Sequence, residues 1–398
     1  MNILVSNVGS TSLKFKLFAM PEEQILCEAK VERVGCEDAI YHYSAAAMQR
    51  TKDLPTVPIK TYSDGIRMFL EDLCSDELGV IGSTEEIAGV GFKTVLAHGF
   101  NGVFLLDDAV MEAMKRALFV APVHNAAYLQ AIAEFQGILK NVPMVGVFET
   151  AFHATIPLKN RMYAIPYEWY EKYGIAKNGY HGASFGYIAE KAAEDGACAR
   201  VIGCHLGGSS SVCAIRDGKS IDTSFGFSLQ TGLPHANRCG DADPYLVPYL
   251  MSEGLTMEEI MEGMSRNGGL KGISGVSNDL REIQAAAGSG NARARLAVDV
   301  YTTAIIRFIG AFYAELGGLD KLVFTGGIGE NSAAVRKAVC DPLAHLGIRI
   351  DEKKNNTLRG EGYINEEDSG VRVQVIKANE ELGVARKTYA CIGENERV

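Results

Sequence analysis

Residues 7–18, NVGSTSLKFKLF, follow the apolar run ILV, and the reading of the fold turns on them. NILVS before the turn and LKFKLF after it read as strands, the second with the strict alternation of a half-buried sheet. NVGSTS reads as the turn between them, and reversing a chain does not by itself call for so many small hydroxyl residues. Residues 201–215, VIGCHLGGSSSVCAI, repeat the plan at a constant offset of 198: Asn7 falls on His205, Gly9 on Gly207, Thr11 on Ser209 and Ser12 on Ser210. A repeat with so large a period predicts two related domains, each presenting one turn to a shared cleft. Backbone N–H groups converge in such turns and can bind phosphate oxygens, and hydroxyls add donors.

The rest of the chain is consistent with two domains. Its 398 residues exceed what one core usually sustains, and 43 glycines against 11 prolines place the excess in tight turns. The boundary is expected near residue 150, after VPMVGVF, giving a first domain over 1–150 and a second, carrying the nucleotide site, over 151–383. The last stretch, VQVIKANEELGVARKTYACIG, reads as strand, acidic turn and short amphipathic helix, so that 384–398 is expected to rejoin the first domain. KLVFTGGIGENS, 321–332, is a strand running into glycines, with Asn331 or Ser332 as the N-cap of a following helix over SAAVRKAVCDPLAHLG.

A net charge of −10 argues against nucleic-acid or membrane-surface partners, so any phosphate site must be built locally. Nine scattered cysteines without a C-x-x-C pair, and an opening too short for a signal peptide, predict a reduced, cytoplasmic protein. The apolar stretch LAVDVYTTAIIRFIGAFYAELGG contains Asp299 and Arg307 and reads as a core helix stopped at Gly317–Gly318.

Over essentially its full length the chain resembles the acetate kinase family, whose α/β fold belongs with the two-domain actin/Hsp70/sugar-kinase (ribonuclease H-like) group and has an interdomain nucleotide cleft. NVGSTSLKFKLF is similar to the family's N-x-G-S-S-S-L-K, APVHN to A-P-x-H-N and FETAFHATIP to F-D-T-A-F-H. YAIPYEWYEKYGIAKNGYHGAS, DTSFGF, NRCGDADP, GISGVSNDLR, FTGGIGENS and NEELGVAR follow in family order. A sugar kinase or Hsp70-like ATPase shares the fold, but YEWYEKYGIAKNGYHGAS and NRCGDADP disfavour both.

The resemblance implies reversible in-line transfer of the terminal phosphoryl group of ATP to a short-chain carboxylate, acetate first, with Mg2+ (or Mn2+). It also implies a homodimer. A carboxylate attacking a phosphate sets one anion against another, so alignment and positive charge around the moving group must supply the catalysis. His181 and Arg238 match the family's charge stabilisers, and Glu149, standing for the aspartate of F-D-T-A-F-H, joins them as catalytic. Lys93, Val95, His124 and Leu229 fall on the carboxylate side.

The resemblance assigns Ser10, Ser12 and Lys14 to the first phosphate turn, and His205, Leu206, Gly207, Gly208, Ser209 and Ser211 to the second. Asp279, Leu280 and Arg281 border the nucleotide, and Gly327, Ile328, Gly329, Glu330 and Asn331 approach its adenosine end. Asn7 and Glu380 place the metal. Taken alone, the residues have plainer readings: Arg238 ion-paired with Asp241 or Asp243, His181 a satisfied core imidazole, Lys14 a solvated strand residue. His98, His153 and His235 are expected to be structural.

Four departures fall in the expected site. GFKTVLAHGF puts Lys93 where the family has arginine, and so loses the planar fork that grips a carboxylate bidentately. Glu149 is one methylene longer than the family's aspartate. HLGGSSS replaces H-L-G-N-G-x-S, and Leu229 stands where a pocket proline is expected. Three readings follow: an acetate kinase with compensated residues, a kinase for another small carboxylate such as propionate, or a weakened paralogue acting as a nucleotide-binding regulatory protein.

Overall fold

The computed structural model describes residues 1–9, 11–194, 196 and 199–395. The chain forms two compact units, Met1–Ala151 with Asn379–Val398, and Phe152–Ala378.

The first unit is built on a sheet of strands β1 (Asn2–Gly9), β2 (Ser12–Ala19), β3 (Gln24–Glu32), β4 (Cys36–Ala45), β5 (Arg50–Ile59), β6 (Ile87–Phe92), β7 (Val103–Leu105) and β8 (Met144–Val147), in the order β5-β4-β3-β2-β1-β6-β8-β7. β1 pairs antiparallel with β2 from Asn2↔Ala19 to Gly9↔Ser12, and parallel with β6 on its other side. Asn7, Val8 and Gly9 therefore lie on the strand, and the turn is far tighter than the sequence suggests.

Alternation along β2 sorts the two faces. Leu13, Phe15 and Leu17 are buried, with Phe15 stacked on Phe69 at 4.4 Å and edge-on to Phe135 at 6.1 Å, so this face carries helices Tyr62–Leu73 and Pro122–Ile138. On the other face Ile3 and Val5 pack with Val384, Ala385 and Ile392 of the final helix, Glu380–Asn395. That helix sits directly on β6. A Cβ at Gly89 would run into Ile392, and one at Gly91 into Thr388, so a larger residue at either position would force those side chains of the helix to shift.

The second unit holds β9 (Arg200–His205), β10 (Ser211–Arg216), β11 (Lys219–Thr223), β12 (Lys321–Thr325), β13 (Gly362–Tyr363) and β14 (Arg372–Val375), in the order β11-β10-β9-β12-β14-β13. β9 is antiparallel to β10 and parallel to β12, which is parallel to β14. Strand for strand this is the order and direction of β3-β2-β1-β6-β8, so the weak sequence repeat corresponds to a repeated sheet. The α/β actin-like kinase fold is built from this duplicated sheet.

Helix Ala292–Leu316 is long and apolar enough to span a membrane by length and composition. Its residues Ala294, Ala297, Tyr301, Ile305, Ile309 and Phe312 are nevertheless buried in one cluster with Ile202, Val212, Ala214 and Leu322 of the sheet. Asn291 caps its start through the Ala294 N–H, and Gly317, in the left-handed conformation at φ 67°, ends it. After β12, Gly326–Asn331 is itself a helical turn, and Ser332 caps Ala333–Cys340. The helix expected over 332–347 thus gives way at Cys340 to a 3-10 stretch, Asp341–Leu346, with Pro342 near its start.

Candidate active site

In the first unit the candidate residues gather at the end of β1. Tyr128, from helix Pro122–Ile138, accepts a hydrogen bond at Oη from the Val8 N–H at 3.1 Å and donates to Asn7 Oδ1 at 3.3 Å. Lys14 pairs with Asn7 across the hairpin and is exposed on the same face. Ser12 is half-buried, and its Oγ lies where a Cβ at Gly9 would meet it at 2.6 Å. Tyr62 secures the turn by donating to the Gly9 carbonyl at 2.7 Å. Ser10 lies outside the described residues.

Immediately after β6, the Lys93 ammonium lies 2.5 Å from Glu380 Oε2 and 3.0 Å from Glu149 Oε1. Glu380 opens the final helix, where the dipole favours a carboxylate. Glu149 is 5% exposed, and neither carboxylate oxygen makes a hydrogen bond. Burial drives its pKa up, against the pull of the Lys93 charge, and the nearby Glu380 carboxylate adds to the rise. Burial works against the Lys93 ammonium too, but Glu149 and Glu380 outweigh it and hold its pKa well above the ordinary value. Val95 is buried close by in sequence, and His124 is exposed in the first turn of its helix.

These donors suit magnesium. Two carboxylates and an amide oxygen are hard ligands, and Mg2+ takes one or two carboxylates and completes its shell with water and phosphate. Among the described residues no group of three or more His, Cys, Asp or Glu would hold a metal unaided.

In the second unit His181 opens a helix from a left-handed backbone, φ 60°, an uncommon conformation for a non-glycine residue. Its Nδ1 is 2.8 Å from Ser211 Oγ, and its ring lies 4.1 Å from that of His205, whose Nδ1 is 2.9 Å from Ser184 Oγ. Phe225 meets His181 edge-on at 5.2 Å.

Arg238 is partly buried, and burial lowers its pKa to about 10, so it stays cationic at neutral pH. Nη1 donates to the Leu229 carbonyl at 2.5 Å, and among the described residues no carboxylate is ion-paired with the guanidinium. Neither expected acid is engaged with it: Asp241 accepts from the Gly232 N–H at 2.7 Å, and Asp243 from the Tyr245 N–H at 2.9 Å.

The turn between β9 and β10 is held open. Leu206 N–H donates to the Thr325 carbonyl at 2.8 Å, while its own carbonyl accepts from Ile328 at 2.8 Å and Gly329 at 3.2 Å. Ser210 bridges Gly207 and the Tyr301 hydroxyl, and its N–H donates to His235 Nδ1 at 3.0 Å. Ala236 N–H reaches the Gly208 carbonyl at 2.9 Å, tying the Arg238 loop to the turn. Ser209 Oγ is buried without a hydrogen-bond partner among the described residues.

Beside this turn lies a cavity of about 600 Å³, lined by Gly207, Gly208, Asp279, Leu280, Arg281, Gly327, Ile328 and Asn331 of the expected nucleotide residues, with Ala236, Leu270, Asn278, Gln284 and Ser332 added. Asp279 grips the exposed Arg281 side chain and caps its helix, and Arg281 draws the carboxyl down to about 2. Glu330 does not line this cavity: its Oε1 accepts from the Gly326 and Ala378 N–H groups, a structural brace. Gly329 is buried beneath β9 and β12.

Tyr128, His235, Tyr301 and Ser184 were not singled out from sequence as site-builders. Tyr128 follows His124 by one helical turn, a spacing that could have drawn attention to it. His153 and His235 are buried and neutral. His153 is fixed between Ser220 Oγ and the Tyr180 carbonyl, both at 2.9 Å, and His235 supports Ser210. His98 is half-buried, and burial beside Arg116 lowers its pKa.

The model of the acetokinase family matches residues 2–386. The acetate kinase of Shouchella clausii is 41% identical over 396 residues, 97% of this chain and 98% of the relative. Among solved structures, Porphyromonas gingivalis acetate kinase superposes with a TM-score of 0.87 at 35% identity, over 98% of this chain and 99% of that one. A propionate kinase from Francisella tularensis gives 0.89 at 35% identity, with the same coverage. The chain belongs to the acetokinase family of carboxylate phosphotransferases.

Proposed function

We propose that this chain catalyses reversible transfer of the terminal phosphoryl group of ATP to acetate. A carboxylate oxygen forms the new P–O bond as the bond to the ADP oxygen breaks, and no proton need move. Negative charge stays on the equatorial oxygens throughout, so the protein's task is to hold donor and acceptor in line and to keep positive charge beside the moving group.

Arg238 carries this reading. A desolvated guanidinium with no carboxylate partner among the described residues, on a loop tied to a Gly/Ser turn, is a charge kept for an anion. His181 contributes the second group on that side, its ring oriented by Ser211. The turn itself offers backbone N–H groups and the Ser209 hydroxyl to phosphate, and the adjoining cavity supports adenosine binding. Magnesium, held by Asn7 and Glu380 with Glu149 near them, would supply charge neutralisation to the phosphate oxygens. Lys93, Val95, His124 and Leu229 serve the carboxylate side in this reading, and Ser12 and Lys14 the phosphates. The proposal extends to a cytoplasmic homodimer, as the family resemblance implies, and light scattering of the purified protein tests the dimer.

The deciding experiment traps acyl phosphate with hydroxylamine in the presence of ATP, Mg2+ and a panel of short carboxylates. Acetyl hydroxamate is expected as the main product. A larger yield with propionate would move the acceptor to that acid. Nucleotide binding with no hydroxamate from any acid would favour the regulatory reading.

A further inference from the structure

The cluster around Lys93 sets one of the chain's own cations against the carboxylates that suit a metal. Two carboxylates from distant parts of the first unit, Glu149 and Glu380, converge on one ammonium at 3.0 and 2.5 Å. Glu149 is 95% removed from solvent, and its oxygens make no hydrogen bond, so the ion-paired Lys93 is its nearest compensating charge, with Lys387 acting from farther off. Tyr128 stands in the same electrostatic neighbourhood and reaches Asn7, which ties the ion cluster to the end of β1. The carboxylate expected to place a metal is thus already in contact with a cation that belongs to the chain.

We propose that the Lys93 ammonium is the resident counterion of the Glu149–Glu380 pair, and that a divalent cation gains Glu380 only in exchange for it. This rests on the reading of Asn7 and Glu380 as the metal-side residues. Lysine matters here because its charge is compact. An ammonium sits between two carboxylates as a point charge shared by both, whereas a guanidinium presents a flat fork suited to gripping one. A hydrated divalent ion arriving alone would meet two carboxylates whose charge is already half balanced by Lys93, with one oxygen of each against the ammonium. It would also have to shed water beside a second positive charge. A metal arriving on nucleotide phosphate brings the negative charge that lets the ammonium leave Glu380. The nucleotide-free protein therefore binds divalent metal weakly, and metal enters as its nucleotide complex.

The test reads metal binding in the full chain without turnover, so it stands apart from the hydroxamate assay that decides the function. Mn2+ binding is followed by the loss of its free-ion EPR signal, without nucleotide, for the natural protein and for Lys93→Gln. Lys93→Gln is expected to bind Mn2+ roughly 10- to 100-fold more tightly, the range over which the immediate environment tunes metal sites. Equal affinity in the two proteins would overturn the proposal. The natural protein gives an independent reading that needs no variant. In its side-chain 15N lysine spectrum the Lys93 signal should stay in place with millimolar Mg2+ alone and shift with Mg2+ and ADP together. A shift with Mg2+ alone would show that no exchange barrier exists and would also overturn it.

Discussion

Lys93 and Arg238 are both desolvated cations that the family resemblance assigns to the site, and the structure accommodates them in opposite ways. Lys93 is clasped by two carboxylates, while Arg238 touches a carbonyl and has no ion-paired acid among the described residues. Desolvation costs both of them, but only Lys93 recovers that cost within the folded chain. An unrecovered cost is what a binding or catalytic group carries before its anion arrives; under the proposed function Arg238 carries that cost, whereas the Lys93 charge is balanced by Glu149 and Glu380.

The sharpest way to break this contrast is to remove each charge and measure stability. Lys93→Met removes the ammonium from between Glu149 and Glu380, and should lose roughly 3–5 kcal/mol of unfolding free energy in a urea titration. Arg238→Met removes a charge without stranding an acid and should be neutral or slightly stabilising. If the two variants lost equal stability, Arg238 would be a structural ion after all.

Activity should reverse the order for Arg238. Its charge matters most while the phosphoryl group is in transit, so Arg238→Met should lower kcat about 100- to 1000-fold, the range seen when one preorganised donor to a developing charge is removed. ADP affinity, measured by calorimetry, should change little. Parallel loss of both would mean that Arg238 binds ground-state phosphate and has no special part in transfer.

Much of this was legible in sequence, because the hairpins and family motifs are local. The 198-residue offset between the two Gly/Ser turns surfaces as one strand order used in both sheets. The turns themselves differ. The first is so tight that Asn7 and Gly9 remain paired in β1, and the second is propped open by Thr325, Tyr301 and His235. No local pattern encodes those props, since Tyr301 is 91 residues from the Ser210 it holds. The Lys93–Glu380 pair spans 287 residues, and sequence could register only the departure from arginine and not its consequence. Burial was equally hidden: Glu330 belongs to a glycine-rich motif that reads as nucleotide-facing, yet it turns toward backbone N–H groups.

His153 supplies a third outcome for a buried basic group, namely giving up the charge. Burial lowers its pKa to about 4, and both ring nitrogens are engaged. The unfolded imidazole titrates near 6.5, so between those values the unfolded chain takes up a proton that the folded chain refuses. This contribution to stability is complete above about pH 6.5 and is lost as pH falls through 4, roughly 3 kcal/mol over the range. His153→Gln should be less stable at pH 7, and its stability should fall less steeply between pH 6.5 and 4. An unchanged slope would place the acid sensitivity elsewhere, with His235 the next candidate, since burial takes it to about 3.

The smallest expected effect concerns how much of the anion grip Arg238 must supply alone. Gly208 replaces a family asparagine in the second turn, is exposed, and has nothing within 4 Å of where a Cβ would stand. It is not among the glycines with positive φ, so Gly208→Asn introduces neither strain nor clash, and stability should stay within about 0.5 kcal/mol. One added hydrogen bond to phosphate is worth about 0.5–1.5 kcal/mol, so ADP affinity should rise roughly 2- to 10-fold. If calorimetry shows no gain, the turn's backbone and Ser209 already saturate the phosphate. The glycine would then be a neutral replacement, and the burden on Arg238 would be confined to the transferring group.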